Sequence, residues 1–313
     1  MSRKRDYVGY AGTPPQARWP GNARIALQFV INYEEGAERS IEFGDAGAER
    51  LNSDNVGASG ADGIRDYVTE SHYDYGSRVG YWRLMDIFDS RKLPVTVLAV
   101  GAALEKNPAV AAHLASSEHE VCGHGWRWLD YRNMPEADER VDIDRTIDLI
   151  TRLTGRSPTG WYTGRISGNT RRLAASRQDL LYDSDAYDDD LPYWVEEAGR
   201  PWLVIPYSFE CNDMRFASAP GFNAPTEFFT QLKESFDVLY AEGATAPKMM
   251  SVGLHCRLAG RPSRAGVVAR FVDYALQHPG VWICRRADIA RHWYRENPPG
   301  NRVGGAQTVL AAG

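Results

Sequence analysis

At 313 residues the chain is long enough for one large α/β domain or two smaller ones. Its 43% hydrophobic and 25% charged content is that of a globular protein, and a net charge of -5 argues against the basic face a nucleic-acid partner needs. No apolar run approaches the length that spans a bilayer, so a membrane partner is not expected either.

Residues 1–22, polar and rich in Pro and Gly, read as an arm lying on the body or on a neighbouring subunit. The first seven residues are basic but lack the apolar stretch of a secretory signal, so the cytoplasm is the expected compartment. Cys122, Cys211, Cys256 and Cys284 are scattered without a Cys-x-x-Cys pair and read as reduced thiols. From Arg24 onward strand-like and helix-like runs alternate. Strands are predicted at Arg24–Asn32, Val95–Val100, Glu120–Cys122, Gly160–Tyr162, Leu181–Ser184, Trp202–Tyr207, Met249–Leu254 and Val281–Cys284. Helices are predicted at Gly80–Ser90, Pro108–Ser116, Glu136–Thr154, Thr170–Arg177, Pro225–Glu242, Arg264–His278 and Ala287–Tyr294. The segment 44–66 reads as an insertion loop after the first strand. A βαβα rhythm implies a mainly parallel sheet with right-handed crossovers. The expected fold is an α/β, distorted (β/α) barrel of about seven to eight mainly parallel strands, spanning 23–296, with a flexible tail at 297–313.

In such a barrel the chemistry collects at the carboxyl ends of the strands. Glu34 and Glu35 end the first strand, where burial and mutual repulsion displace a carboxyl pKa unless the pair is used. His124 lies between two glycines after a short strand, and His255 ends the strand Met249–Leu254. Arg165 follows Gly160–Tyr162 and could hold a carboxylate or an anionic intermediate. Asp185, in an acidic run after Leu181–Ser184, could orient Arg165 or a substrate nitrogen. Two imidazoles, an arginine and paired carboxylates form a hydrolytic set.

In chain order these segments resemble the motifs of the polysaccharide deacetylase (NodB-homology) family, and most closely its metal-independent allantoinase branch. The stretches that carry the resemblance are Asn32–Gly36, Tyr73–Arg78, Gly125–Trp128, Gly160–Arg165, Asp189–Trp194, Asn212–Phe216 and Ser251–Arg257. Parent deacetylases have Asp-Asp where this chain has Glu34-Glu35, and a second metal-binding His where this chain has Trp128. Indole offers no lone pair, and one His with one carboxylate is a poor zinc cage. The resemblance therefore implies a site without a metal or other cofactor; if a metal were present, Glu35 and His124 would be its ligands. The implied substrate is a small cyclic ureide or amide, allantoin opened to allantoate being the leading case. Glu34 is the base by its match to the family position, with Glu35 binding ring N–H groups or sharing that role. His124 and His255 protonate the leaving nitrogen and polarise the carbonyl, and Arg165 pairs with Asp185. The branch-like blocks add Tyr73, Arg78, Trp126, Trp128, Trp194, Asn212 and Arg257 as substrate-binding candidates. For Trp126 and Trp128 core packing is an equal alternative, and for Asn212 a structural turn. A homo-oligomer, of tetramer size, is also implied. The competing readings are a metal-dependent N-acetyl sugar deacetylase, a cyclic imide hydrolase, and an inactive barrel serving as a binding subunit.

Overall fold

In the computed structural model, which describes residues 5–55 and 62–300, the first hydrophobic run becomes strand β1 (Ile25–Tyr33), every residue of it buried. Side chains alternate across a strand. Ile25, Leu27, Phe29, Ile31 and Tyr33 face the helix layer. Val30 faces inward with Leu98, Cys122, Tyr162 and Tyr207, and Asn32 donates to the Tyr207 hydroxyl. A strand covered on both faces is apolar almost throughout, which is why this run lacks a polar alternation.

The chain continues through α1 (Tyr67–Tyr75), a π-helical turn at Gly76–Gly80, α2 (Tyr81–Asp89), β2 (Thr96–Ala99), α3 (Gly101–Lys106) and α4 (Pro108–Ser116). Next come β3 (Glu120–Gly123), α5 (Glu136–Thr154), β4 (Gly160–Trp161), α6 (Thr170–Ser176), β5 (Tyr182–Asp183), β6 (Tyr193–Glu197) and β7 (Arg200–Val204). The last elements are α7 (Pro225–Glu242), β8 (Lys248–His255), α8 (Pro262–Leu276), β9 (Val281–Ile283) and α9 (Arg286–Glu296). The sheet runs β6-β7-β5-β4-β3-β2-β1-β8, with β9 also paired to β1. Among the described residues every ladder is parallel except β6–β7. The sheet curls into a half-barrel. At its seam, beyond β7, the chain meets β8 through the isolated bridge Asn212–Gly253 and the hydrogen bond from the Met249 amide to the Asp190 carbonyl.

Register places the functional side chains at one level. Tyr33 pairs with Ala99, Ala99 with Gly123, and Gly123 with Trp161. The residues one step further, Glu34, His124 and Tyr162, therefore emerge together at the carboxyl edge. On the other side Asn32 pairs with His255.

Two elements add to the predicted set. Tyr193–Glu197 is a strand that sequence patterning does not reveal. It forms a hairpin with β7 through Ala198 and Gly199, both at positive φ, the conformation of a tight hairpin turn but without its usual Asn-Gly signature. The stretch containing Tyr73 and Tyr75, outside the predicted helices, is helical, because Asp66 caps α1 by accepting from the Val68 and Thr69 amides. The described part of the arm packs on its own chain: Trp19 is buried and donates to the Lys248 carbonyl, and His292 Nε2 meets the Ala17 carbonyl at 2.7 Å. The predicted tail lies outside the described residues from 301 on. Among the described residues no helix is long and apolar enough to cross a membrane.

Candidate active site

Strand parity separates the two adjacent glutamates. Glu34 continues the inward face of β1 and reaches the barrel mouth. Glu35 continues the outward face and presses against the π-helical turn. Gly76 makes room there, since a Cβ on it would fall 2.5 Å from Glu35 Oε1. A π-turn at such a point is a frequent mark of a functional site.

Arg257 joins them. Its guanidinium lies 2.8 Å from Glu34 Oε2 and 3.3 Å from Glu35 Oε1, and all three side chains are shielded from water. Glu35 Oε1 also accepts from the Arg257 amide at 3.1 Å, and Glu35 Oε2 from the Glu34 amide at 3.1 Å. The arginine donates through Nε to the Asn52 carbonyl at 2.8 Å. Aromatic faces complete its cage, with its Cζ 4.3 Å from the Tyr73 ring centre and 5.4 Å from that of Trp128. Such contacts stabilise a desolvated cation by about 2 kcal/mol.

The other oxygen of Glu34 faces two imidazoles. His124 Nε2 is 3.1 Å from Glu34 Oε1, and His255 Nε2 is 3.6 Å from the same atom. His124 Nδ1 must donate to the Tyr162 carbonyl at 3.0 Å, because a carbonyl only accepts. His255 Nδ1 faces Asp213 Oδ1 at 2.6 Å, and Asp213 Oδ2 accepts from the His255 and Ala259 amides. Burial pushes the Glu34 pKa up, but Arg257 and the two histidines outweigh it and hold the carboxyl below its usual range. Burial raises Glu35. For His255 burial acts downward, yet Asp213 and Glu34 prevail and its pKa rises. The set is thus a carboxylate base beside an oriented imidazolium and a permanent cation.

Several predicted residues stand elsewhere. Arg165 does not pair with Asp185: it donates to the Trp128 carbonyl at 2.9 Å and lies over the Trp128 ring at 4.1 Å. Asp185 accepts from the Thr163 and Gly164 amides, and burial next to Asp183 pushes its pKa up to about 7. The ion pair in that region is Arg171 with Asp183. Trp126 turns away from the mouth and packs under Arg145 at 3.3 Å. Trp194 sits on Tyr294 and donates to the Asn297 carbonyl. Arg78 is exposed on the π-turn. Asn212 caps the turn Asp213–Phe216 through Met214 N. Tyr73 touches the site through Arg257 and donates its hydroxyl to the Leu51 carbonyl. Asp213 was legible only as part of a matching block. The strand-end rule cannot find it, because it reaches the site from the segment that bridges the seam.

The parent family's divalent ion does not fit these residues. Arg257 stands against both carboxylates that would face it, and Trp128 replaces the second imidazole. Among the described residues only Asp89, His113 and His119, remote from this site at the end of α2, bring three ligand atoms within 4.8 Å of one another. His119 Nδ1 accepts from the Val95 amide, so its Nε2 carries the proton and donates to Asp89 at 2.8 Å. That group is closed on itself by hydrogen bonds.

Comparison with known proteins places this geometry. A polysaccharide deacetylase family model matches residues 66–182. A Schizosaccharomyces pombe protein assigned to the polysaccharide deacetylases is 40% identical over 95% of this chain and 99% of its own. A Pseudomonas aeruginosa structure assigned to the same group is 53% identical with a TM-score of 0.92, covering 95% of this chain and 99% of that one. The structure of PuuE allantoinase is 51% identical with a TM-score of 0.92 over the same shares. Near-complete alignment with these proteins, on a half-barrel whose strand ends carry the motifs in order, means that the chain belongs to the polysaccharide deacetylase (NodB-homology) family.

Proposed function

We propose that this chain hydrolyses a carbon–nitrogen bond of a small cyclic amide, opening allantoin to allantoate, without a metal. The observation that carries this reading is the Arg257 guanidinium paired with both Glu34 and Glu35, the residues at the parent family's Asp-Asp positions. The reacting groups are also enclosed, with Glu34 1%, His124 2% and His255 4% exposed, which suits a small ring better than a polymer. The likeness to an allantoinase over nearly the full length supports the same substrate class. Four unpaired thiols accord with a reaction in the cytoplasm.

In the proposed reaction Glu34 takes a proton from water as the water oxygen attacks the ring carbonyl carbon. The carbonyl oxygen becomes an oxyanion facing the Arg257 and His124 donors. A preorganised donor of this kind contributes about 3–4 kcal/mol. The carbon–nitrogen bond then breaks as the His255 imidazolium protonates the departing ring nitrogen. Asp213 keeps that imidazole in the donating orientation. Glu35 acts by fixing Arg257.

A second reading, removal of acetyl groups from amino sugars, draws on the assignments of the Schizosaccharomyces pombe and Pseudomonas aeruginosa relatives. A panel of cyclic ureides, cyclic imides and N-acetyl sugars, assayed with excess chelator, tests both. Chelator-resistant turnover of a ureide is expected. Activity restricted to N-acetyl sugars and restored by a divalent ion would reverse the assignment.

A further inference from the structure

Residues at the carboxyl ends of barrel strands ordinarily open to solvent, but here aromatic rings continue the site outward. Tyr162 lies against His124 with ring centres 5.0 Å apart and planes at 33°. It also meets Tyr207 edge-on at 5.1 Å. The Tyr162 hydroxyl pairs with that of Tyr187 at 2.9 Å. Tyr187 in turn stacks on Phe209 at 3.8 Å, with planes at 16°. The inner two rings are buried, whereas Tyr187 is 37% and Phe209 48% exposed. The series runs from an imidazole of the site to bulk water, and its outer members follow β5 and β7 on the carboxyl side of the sheet.

Single exposed apolar residues need no explanation. A stacked pair hydrogen-bonded inward, to the ring that covers His124, has a specific arrangement to account for. We propose that Tyr187 and Phe209 form an aromatic gate over the site, held shut by the Tyr187–Tyr162 hydroxyl pair, that admits a flat ureide ring and excludes a sugar chain. A planar ring can pass against parallel aromatic faces while keeping stacking contact. A pyranose chain, with its out-of-plane hydroxyls and neighbouring units, would require both rings to swing away. Phe209 sits in the Ser208–Asn212 turn, which is braced by Cys211 N to Ser208 Oγ at 3.1 Å and Asn212 Nδ2 to the Ser208 carbonyl at 3.3 Å. Asp213 follows directly, so the outer ring and the residue that orients His255 share one short segment.

The gate itself rests on ring geometry, and only its choice of substrate rests on the reaction proposed above. Two readouts keep these apart. The first is carbethoxylation of His124 and His255 by diethyl pyrocarbonate, followed by peptide mass spectrometry, with the partly exposed His113 as internal reference. Phe209→Ala and the conservative Tyr187→Phe should each speed labelling of both site histidines by about fivefold relative to His113, the scale of one lost ring contact or hydrogen bond. The second is steady-state hydrolysis, in which Phe209→Ala should raise KM for the ureide more than it lowers kcat. Labelling rates identical to those of the unaltered chain in both variants would overturn the gate. Faster labelling in a chain that turns over no cyclic ureide would leave the gate standing and remove the substrate assignment instead.

Discussion

Arg257 and Glu34 form an ion pair of 2.8 Å at the barrel mouth, with neither side chain open to water. An ion pair so placed is weak support for stability in itself. Removing one member is a different matter, because it strands a buried charge at a cost of about 3–5 kcal/mol. The pair also sets the charge of the site: the guanidinium keeps Glu34 ionised and is close enough to act on a developing oxyanion.

Arg257→Ala should therefore lower the melting temperature and abolish turnover together. Arg257→Lys keeps the charge but loses the planar fork and its fit to the Tyr73 and Trp128 faces. It should fold and lose about 10²–10³-fold in kcat, as for one oxyanion donor. Thermal denaturation alongside steady-state kinetics separates the two variants. A lysine variant with full activity would remove Arg257 from the mechanism.

Glu34→Gln and Glu35→Gln should behave differently, although the residues are adjacent. The first removes the group that faces both imidazoles and should reduce kcat by about 10²–10⁴-fold, the range of general-base catalysis. The second loosens the anchor of Arg257 and should show first as a lower melting temperature. Equal kinetic losses without a stability difference would contradict the assigned roles.

The pH profile follows from the two displaced groups. Glu34 must be ionised, and its pKa lies below the ordinary 4.5, so the acid limb of kcat/KM should fall below that value. His255 must be protonated, and its pKa lies above the ordinary 6.5, so activity should be lost only as pH rises past a point above 6.5. Asp213→Asn removes the charge that favours the imidazolium and should move the alkaline limb to lower pH. An unmoved limb would mean that another group donates the proton.

Gly76→Ala offers a test of sign. In an ordinary helix interior this change stabilises by about 1 kcal/mol. Here the added Cβ would fall 2.5 Å from Glu35 Oε1 and 2.7 Å from the Arg257 amide. The variant should lose about 1–3 kcal/mol, as overpacking does, and lose activity with it. Calorimetry that finds it more stable would show that the π-turn can yield.

The alternation of apolar runs with helical patterns was enough to predict the barrel, because parallel strands buried on both faces leave a strong local signal. Glu34, Glu35, His124 and His255 were legible as strand-end polar groups for the same reason. The alternation of β1 between interior and helix layer also carries the parity that divides the glutamates, a signal present in the sequence but readable only once the inward face is known. Trp194, Trp126 and Arg78 looked equivalent to site residues because they lie in similar blocks, and a linear pattern does not state which way a side chain turns. The hairpin strand Tyr193–Glu197 was hidden because its turn uses Ala198-Gly199.

Chain order and chemistry alone determined the parallel strands of the barrel, the family resemblance and the indole at the position of a second imidazole. Tertiary structure decided which distant side chains stand around Glu34. Arg257 meets Glu34 across 223 residues, Asp213 meets His255, and Tyr73 covers Arg257. Such pairings depend on sheet register and on where the seam closes, and those are set by packing of the whole barrel, which no short stretch of sequence encodes.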